Sequence, residues 1–205
     1  MKNIYSNIFS FNKKTLHKSV ASLKKGNVVG LPTETVYGLA GNAYSKKAVK
    51  KIYSLKKRPK KNPLIVHYLS FDSAKHDVIF NDYFYKLYKK FCPGPITFVL
   101  KKKITSKIQS SVTANLDTVA IRFPKHNITR SVLKKINFPL AMPSANLSSG
   151  ISPINAFDVY DEFKKKIKII INGGNSKIGI ESTVISLIRK PKILRLGVIE
   201  AKKIS

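Results

Sequence analysis

Residues 28–39 read Val28-Val29-Gly30-Leu31-Pro32-Thr33-Glu34-Thr35-Val36-Tyr37-Gly38-Leu39, and this stretch decides the class of fold. The apolar run Val28-Val29-Gly30-Leu31 that opens it reads as a short buried strand. Pro32 cannot continue the ladder and ends the strand. The next positions crowd two hydroxyls, a carboxylate and a phenol into a loop, with Gly38 expected to supply a tight turn. Strand ends of open α/β sheets often bind ligands. The same residues also read as an ordinary strand-to-helix connection, and the stretch alone does not choose.

Working outward, the periodicities predict helices over 13–25 (Leu16, Val20 and Leu23 inward, Gly26 as stop) and from a Ser45 cap with Ala48, Ile52 and Leu55 inward. Further helices are expected over 82–91, over 128–136 and from Pro153 through Phe163. Strands are expected at 64–66, 96–100, 119–123, 140–142, 167–171, 183–188 and 193–196. Helices and strands intermingle without strict alternation. The expected fold is therefore α/β, a twisted mixed sheet with flanking helices.

The chain has 205 residues, without internal repeats or Gly/Ser linkers, and one domain over residues 1–205 is expected. No run approaches the roughly 18 to 20 apolar residues that span a bilayer, and MKNIYSNIFSFNKK at the start lacks a signal-peptide core. A cytoplasmic location without membrane attachment is the expectation. The single cysteine, Cys92, rules out an intrachain disulfide and a thiolate metal cage. The four histidines are scattered and the ten carboxylates form no metal set, so no protein-held metal is expected. A divalent cation would arrive on a substrate phosphate, as Mg²⁺ does. The net charge of +29 attracts polyanions, ATP and RNA alike. Lysine spread evenly beside abundant Asn and Ile also suits a coding bias toward A and T, so charge does not name the partner.

Four further clusters carry chemistry. Lys56-Lys57-Arg58-Pro59 leads to Asn62-Pro63-Leu64-Ile65-Val66-His67. Two cations at a rigid helix exit suit a triphosphate, though such a run is also a common solvated helix end. Thr118-Val119-Ala120-Ile121-Arg122-Phe123-Pro124 places an arginine in an apolar strand, where it either faces water or reaches into a cleft as a partner for a carboxylate. In Pro143-Ser144-Ala145-Asn146, the serine and asparagine are two apart, hence on one side of extended backbone. Ser152 and Pro153 follow, and the block also reads as a polar turn before a helix. Last come Asn172-Gly173-Gly174 and Gly179-Ile180-Glu181-Ser182-Thr183-Val184, ending in Arg195-Leu196-Gly197. No Walker-type or Rossmann glycine fingerprint is present.

Taken together and in order, these blocks resemble the YrdC-like family of threonylcarbamoyl-adenylate synthases, over about residues 30–197. The family's Lys-x-Arg is Lys56 and Arg58, and its Ser-x-Asn is Ser144 and Asn146. The resemblance implies a large electropositive cavity holding L-threonine at Thr33, Thr35, His67, Arg122, Ser144 and Ser182. It implies ATP, with its Mg²⁺, at Lys56, Arg58, Asn62, Thr118, Asn146, Ser152 and Arg195, with Lys56 and Arg58 catalytic beside the phosphates. The implied reaction joins L-threonine, bicarbonate and ATP into threonylcarbamoyl-AMP and pyrophosphate, the first step of a tRNA modification completed by a downstream threonylcarbamoyl-transferase complex. Three positions depart from the pattern: Cys92 for a usual Trp, Asn172 for Asp, and Ile154 for Thr. The chain ends shortly after Gly197, so it resembles the short, single-domain kind. The competing reading is a non-catalytic module that binds tRNA or double-stranded RNA through the same positive field.

Overall fold

The computed structural model describes residues 5–204. Its elements in order are β1 (Ile8–Ser10), α1 (Lys13–Lys24), β2 (Val29–Leu31), β3 (Gly38–Asn42), α2 (Lys46–Lys56), β4 (Ile65–His67), α3 (Phe71–Ala74), β5 (Val78–Ile79) and α4 (Asp82–Phe91). Then come β6 (Ile96–Lys102), β7 (Thr118–Arg122), α5 (Asn127–Lys134), β8 (Leu140–Ala141), α6 (Ala156–Phe163), β9 (Ile170–Asn172), β10 (Thr183–Ser186) and β11 (Lys192–Arg195). Ten of the strands run β1-β9-β2-β3-β8-β4-β7-β6-β10-β11 across one sheet, and β5 pairs separately with β6. Parallel pairs (β1 with β9, β4 with β7, β6 with β10) sit among antiparallel ones. This is the mixed sheet expected from the sequence.

Alternation along the strands sends side chains to two faces. On one face, Val29, Leu31, Ala40, Leu140, Met142, Ile169 and Ile171 pack against Val20 and Leu23 of α1 and Ile128 and Val132 of α5. On the other, Leu39, Val66, Phe98 and Ile121 meet Val49 and Ile52 of α2, Phe84 of α4 and Val159 of α6. The helices start where short polar side chains can cap them. Asn12 accepts from the Thr15 amide, Ser45 from Ala48, and Asn155 from Asp158.

Several boundaries differ from expectation. Gly38 is not a turn residue; it opens β3, and its missing Cβ leaves room for Met142, whose Cγ and Sδ would otherwise clash. The last helix begins at Ala156 after the Asn155 cap, not at Pro153, whose carbonyl is taken by the Tyr37 amide at 2.8 Å. The strand expected at 167–171 is Ile170–Asn172. β1, β3, α3 and β5 escaped the sequence reading because two- to five-residue elements carry too little period to register. Residues 1–4 and 205 of the expected domain lie outside the described residues. Among the described residues no helix is long and apolar enough to cross a membrane.

Candidate active site

The site lies on the face of the sheet that α1 and α5 only partly cover. His67 and Arg122 are cross-strand partners on β4 and β7, and Thr97 of β6 is opposite Arg122, so all three project to that face. His67 and Arg122 are the last residues of β4 and β7, and Thr97 is the second of β6, so the polar groups do gather at strand ends, as the sequence suggested. The loop from Pro32 to Tyr37 leaves the end of β2 but folds across this face, held by Ala145 N to Tyr37 O at 2.8 Å, Ile178 N to Glu34 O at 3.1 Å and Gly179 N to Thr35 O at 2.9 Å. Beneath it is a cavity of about 100 Å³, walled by Thr33, Thr35, Tyr37, Arg58, Ile65, His67, Arg122, Ser144, Glu181, Ser182 and Arg195. A second hollow of about 250 Å³ adjoins it, lined by Lys56, Arg58, Asn62, Ser144, Asn146, Ser152 and Glu181. Arg58, Ser144 and Glu181 belong to both walls, so the two are lobes of one site.

In the first lobe Arg122, 4% exposed, donates from Nη2 to Glu34 Oε1 at 2.7 Å and from Nε to the Gly94 carbonyl at 3.3 Å. The carboxylate that meets this strand arginine is thus the chain's own. Burial pushes the Glu34 carboxyl up, but the charge and hydrogen bonds of Arg122 and the Lys125 amide outweigh it, and the net direction is down. Beside them the His67 imidazole is fully buried, and burial together with Arg122 holds its pKa well below the usual value. His67 is therefore neutral at pH 7, and among the described residues its Nδ1 has no hydrogen-bond partner. Thr33 donates to Val36 O at 2.7 Å, so in the 2.8 Å contact between the two hydroxyls Thr35 is the donor. Thr33 thus spends its proton on its own loop, while Thr35 keeps an acceptor face toward the cavity. Ser182 Oγ lies 2.8 Å from Thr97 Oγ1, and Arg195 Nη2 donates to it at 3.2 Å. Arg195 also ion-pairs with Glu181, whose other oxygen accepts from Ser152 at 3.2 Å.

The second lobe is built around the end of α2. Lys57 takes the left-handed conformation (φ 49°) and closes the helix, so Lys56 and Arg58 leave the cap in different directions. Lys56, 1% exposed, donates to Ser144 O at 2.7 Å, Asn146 O at 2.5 Å and Asn146 Oδ1 at 3.2 Å. Burial, and then Arg58, lower its pKa to about 8. Arg58 donates from Nε to Asn62 O at 3.1 Å and from Nη2 to Pro63 O at 2.9 Å, which leaves most of its fork turned to the cavity. Asn146 Nδ2 holds Gly150 O at 2.5 Å, shaping the loop before Ser152.

Twelve of the thirteen residues singled out from the sequence line one lobe or the other. Thr118 does not. It opens β7, four residues and roughly 13 Å along the strand from Arg122, half-buried on the same face. The sequence reading placed Glu34, Tyr37 and Glu181 inside its motif blocks but gave them no ligand or positioning role. Tyr37 Oη ties the loop to the glycine pair, donating to Gly174 O at 2.8 Å and accepting from Gly173 N at 3.0 Å. The signal for the carboxylates was their scarcity, with only ten in the chain and two of them inside the motif blocks. Among the described residues no group of three or more His, Cys, Asp or Glu could hold a metal. The carboxylates of the cavity are each engaged by an arginine.

Comparison with known proteins bears on the family and the fold. Residues 21–197 match the Sua5/YciO/YrdC family, described as telomere recombination. The threonylcarbamoyl-AMP synthase of Pyrococcus abyssi is 43% identical over 175 residues, 84% of this chain and 50% of that protein. A putative threonylcarbamoyl-AMP synthase of Methanocaldococcus jannaschii is 34% identical over 211 residues, 100% of this chain and 98% of that one. The crystal structure of P. abyssi Sua5 complexed with L-threonine superposes with a TM-score of 0.92 at 38% identity, covering 96% of this chain and 59% of the other. E. coli YciO shares the fold at TM-score 0.87 and 22% identity, over 98% of this chain and 100% of that one. The chain spans about half the length of several curated relatives it matches. On the matched residues and the identity of these relatives, this chain belongs to the Sua5/YciO/YrdC family.

Proposed function

We propose that this chain is an L-threonylcarbamoyladenylate synthase, a nucleotidyltransferase that makes threonylcarbamoyl-AMP and pyrophosphate from L-threonine, bicarbonate and ATP. The observation that carries the reading is the shared wall. Cations and hydroxyls from segments 33–35, 56–67, 122, 144–152 and 181–195 converge on two adjoining lobes, which is what a reaction between an amino acid and a nucleotide requires. The first lobe takes threonine, with Thr35, His67, Arg122 and Ser182 around it. The second takes ATP, supplied as its Mg²⁺ complex.

In the step itself, threonine's amine has condensed with bicarbonate, an N–C bond forming and water leaving, to give a carbamate. A carbamate oxygen attacks the α-phosphorus, a new O–P bond forms, and the bond to the β-phosphate breaks with its electron pair on pyrophosphate. An anion attacking a polyanion needs alignment and charge neutralisation more than covalent help. Arg58, at the junction, is placed to supply both. The Cys92 thiol, pushed up to about 12 by burial, stays protonated and offers no nucleophile. The labile mixed anhydride then passes to a transferase acting on a tRNA adenosine.

Incubation with ATP, labelled bicarbonate and L-threonine should release pyrophosphate and yield labelled mixed anhydride. Arg58→Ala should lower that rate by about 10²- to 10³-fold, the size of effect seen for a lost oxyanion-type donor. Unchanged pyrophosphate release by the variant would remove Arg58 from the mechanism. No threonine-dependent release by the parent chain would remove the reading itself.

A further inference from the structure

An ammonium group has three N–H donors and nothing else to offer. In Lys56 all three have an oxygen within reach, and none of these belongs to the cavity's open space: Ser144 O, Asn146 O and Asn146 Oδ1. The lysine's own carbonyl accepts from Ser148 N at 2.9 Å, so both ends of the residue grip the same loop. That loop has other ties, from Ala145 N to Tyr37 O and from Leu147 N to Glu162 Oε1 at 2.9 Å. Among the described residues, Lys56 alone draws two alternate carbonyls of this loop, those of residues 144 and 146, onto one point. Carbonyls aimed at a common centre repel each other unless a cation sits there. Arg58, two residues on, spends only part of its fork on Asn62 and Pro63.

We infer that Lys56 is a positioning residue: it clamps the 144–150 loop through the Ser144 and Asn146 carbonyls, and Arg58 alone of the pair faces the phosphates. This rests on the synthase reading for its consequence but not for its geometry. Ser144 walls both lobes, so releasing the clamp must disturb the amino-acid lobe as well as the nucleotide lobe. A lysine acting on phosphate would leave threonine binding alone when no nucleotide is present. Burial, which lowers the ammonium's pKa, agrees with a group shut behind the loop and not open to a ligand.

The test compares Lys56→Met, which keeps the stem and removes the charge, with Lys50→Met on the exposed side of α2 as control. Two readouts decide: amide hydrogen exchange over 144–150 without ligand, and threonine affinity without nucleotide. The clamp predicts faster exchange confined to that loop and threonine affinity weaker by about tenfold or more, the equivalent of a lost charged hydrogen bond. Lys50→Met should change neither. Unaltered exchange and threonine affinity in Lys56→Met, with ATP affinity alone reduced, would overturn the clamp and return Lys56 to the phosphates. Should Lys56→Met not fold, a structure of the parent chain with threonine and a non-hydrolysable ATP analogue decides instead. The clamp predicts Nζ still on the two carbonyls, whereas an Nζ–phosphate contact near 2.8 Å (about the length of a charged hydrogen bond) overturns it. If the parent chain binds neither threonine nor ATP, the synthase reading fails, while loop exchange still decides the clamp.

Discussion

Charge at this site is handled residue by residue. Arg122 and Glu34 form a pair with side chains only 5% and 10% exposed, and both are further hydrogen-bonded, to Gly94 and to the Lys125 amide. Such a pair adds little net stability over an apolar replacement, but removing one partner leaves a buried charge unmatched. Glu34→Ala should therefore lower the free energy of unfolding by about 3 kcal/mol, read from urea denaturation. It should also weaken threonine binding, because the Arg122 fork loses the partner that orients it. A variant as stable as the parent would show that water, not Glu34, compensates Arg122. Thr33 and Thr35 illustrate the limit of reading residue types. Both hydroxyls sit in the cavity wall, yet one serves the loop and the other can serve a ligand, and only the direction of their hydrogen bonds separates them.

At the scale of elements, the site depends on how closely β11 returns to the start of β10. A Cβ on Gly197 would run into the backbone of Glu181, Ser182 and Thr183, none of which can give way as a side chain would. Thr183 Oγ1 also accepts from Ile199 N and donates to Ile199 O, both at 2.9 Å, pinning the segment after Gly197 to β10. Gly197→Ala should cost about 1–3 kcal/mol by overpacking and raise the KM for both substrates, since Glu181, Ser182 and Arg195 move together. Loss of stability with both KM values unchanged would mean that the strain is absorbed outside the site. The two-residue step from Lys56 to Arg58 is the other decisive element feature. The left-handed cap at Lys57 turns one side chain inward and the next toward the cavity.

Over the whole molecule, pH should act through the two buried groups beside Arg122. The His67 pKa is held below 6.5 in the fold, so between those values the unfolded chain binds a proton that the native chain does not. Stability is then complete above 6.5 and falls as pH drops. Glu34, also lowered, has the same sign in a more acid window: its contribution is full above 4.5 and is lost as pH falls through the folded value. Melting temperature measured by calorimetry should therefore decline from pH 7 to 5.5, and His67→Asn should make that limb shallower, with His126, whose pKa burial also lowers, carrying the remainder, while leaving the decline below 4.5. An identical slope in the variant would assign the first limb elsewhere. The excess of 39 lysines and arginines over ten acids acts differently: it concentrates any polyanion, nucleotide or RNA, in a salt-dependent way without choosing between them.

Much of this was legible in the order of residues alone. Apolar runs at period two or 3.6 announced the longer helices and buried strands, because burying one face is a local demand written at local spacing. The motif blocks named twelve residues that share a cavity, because side-chain chemistry is a property of each residue wherever it folds. Three things were decided only in three dimensions: that the site spreads over the open face of the sheet, that Thr118 stands away from it, and that the carboxylate for Arg122 and the acceptors for Lys56 come from segments 88 to 90 residues distant. Those facts depend on strand register and on which way each cap turns the chain. Register and cap direction are settled by the packing of the whole core, which no single segment contains.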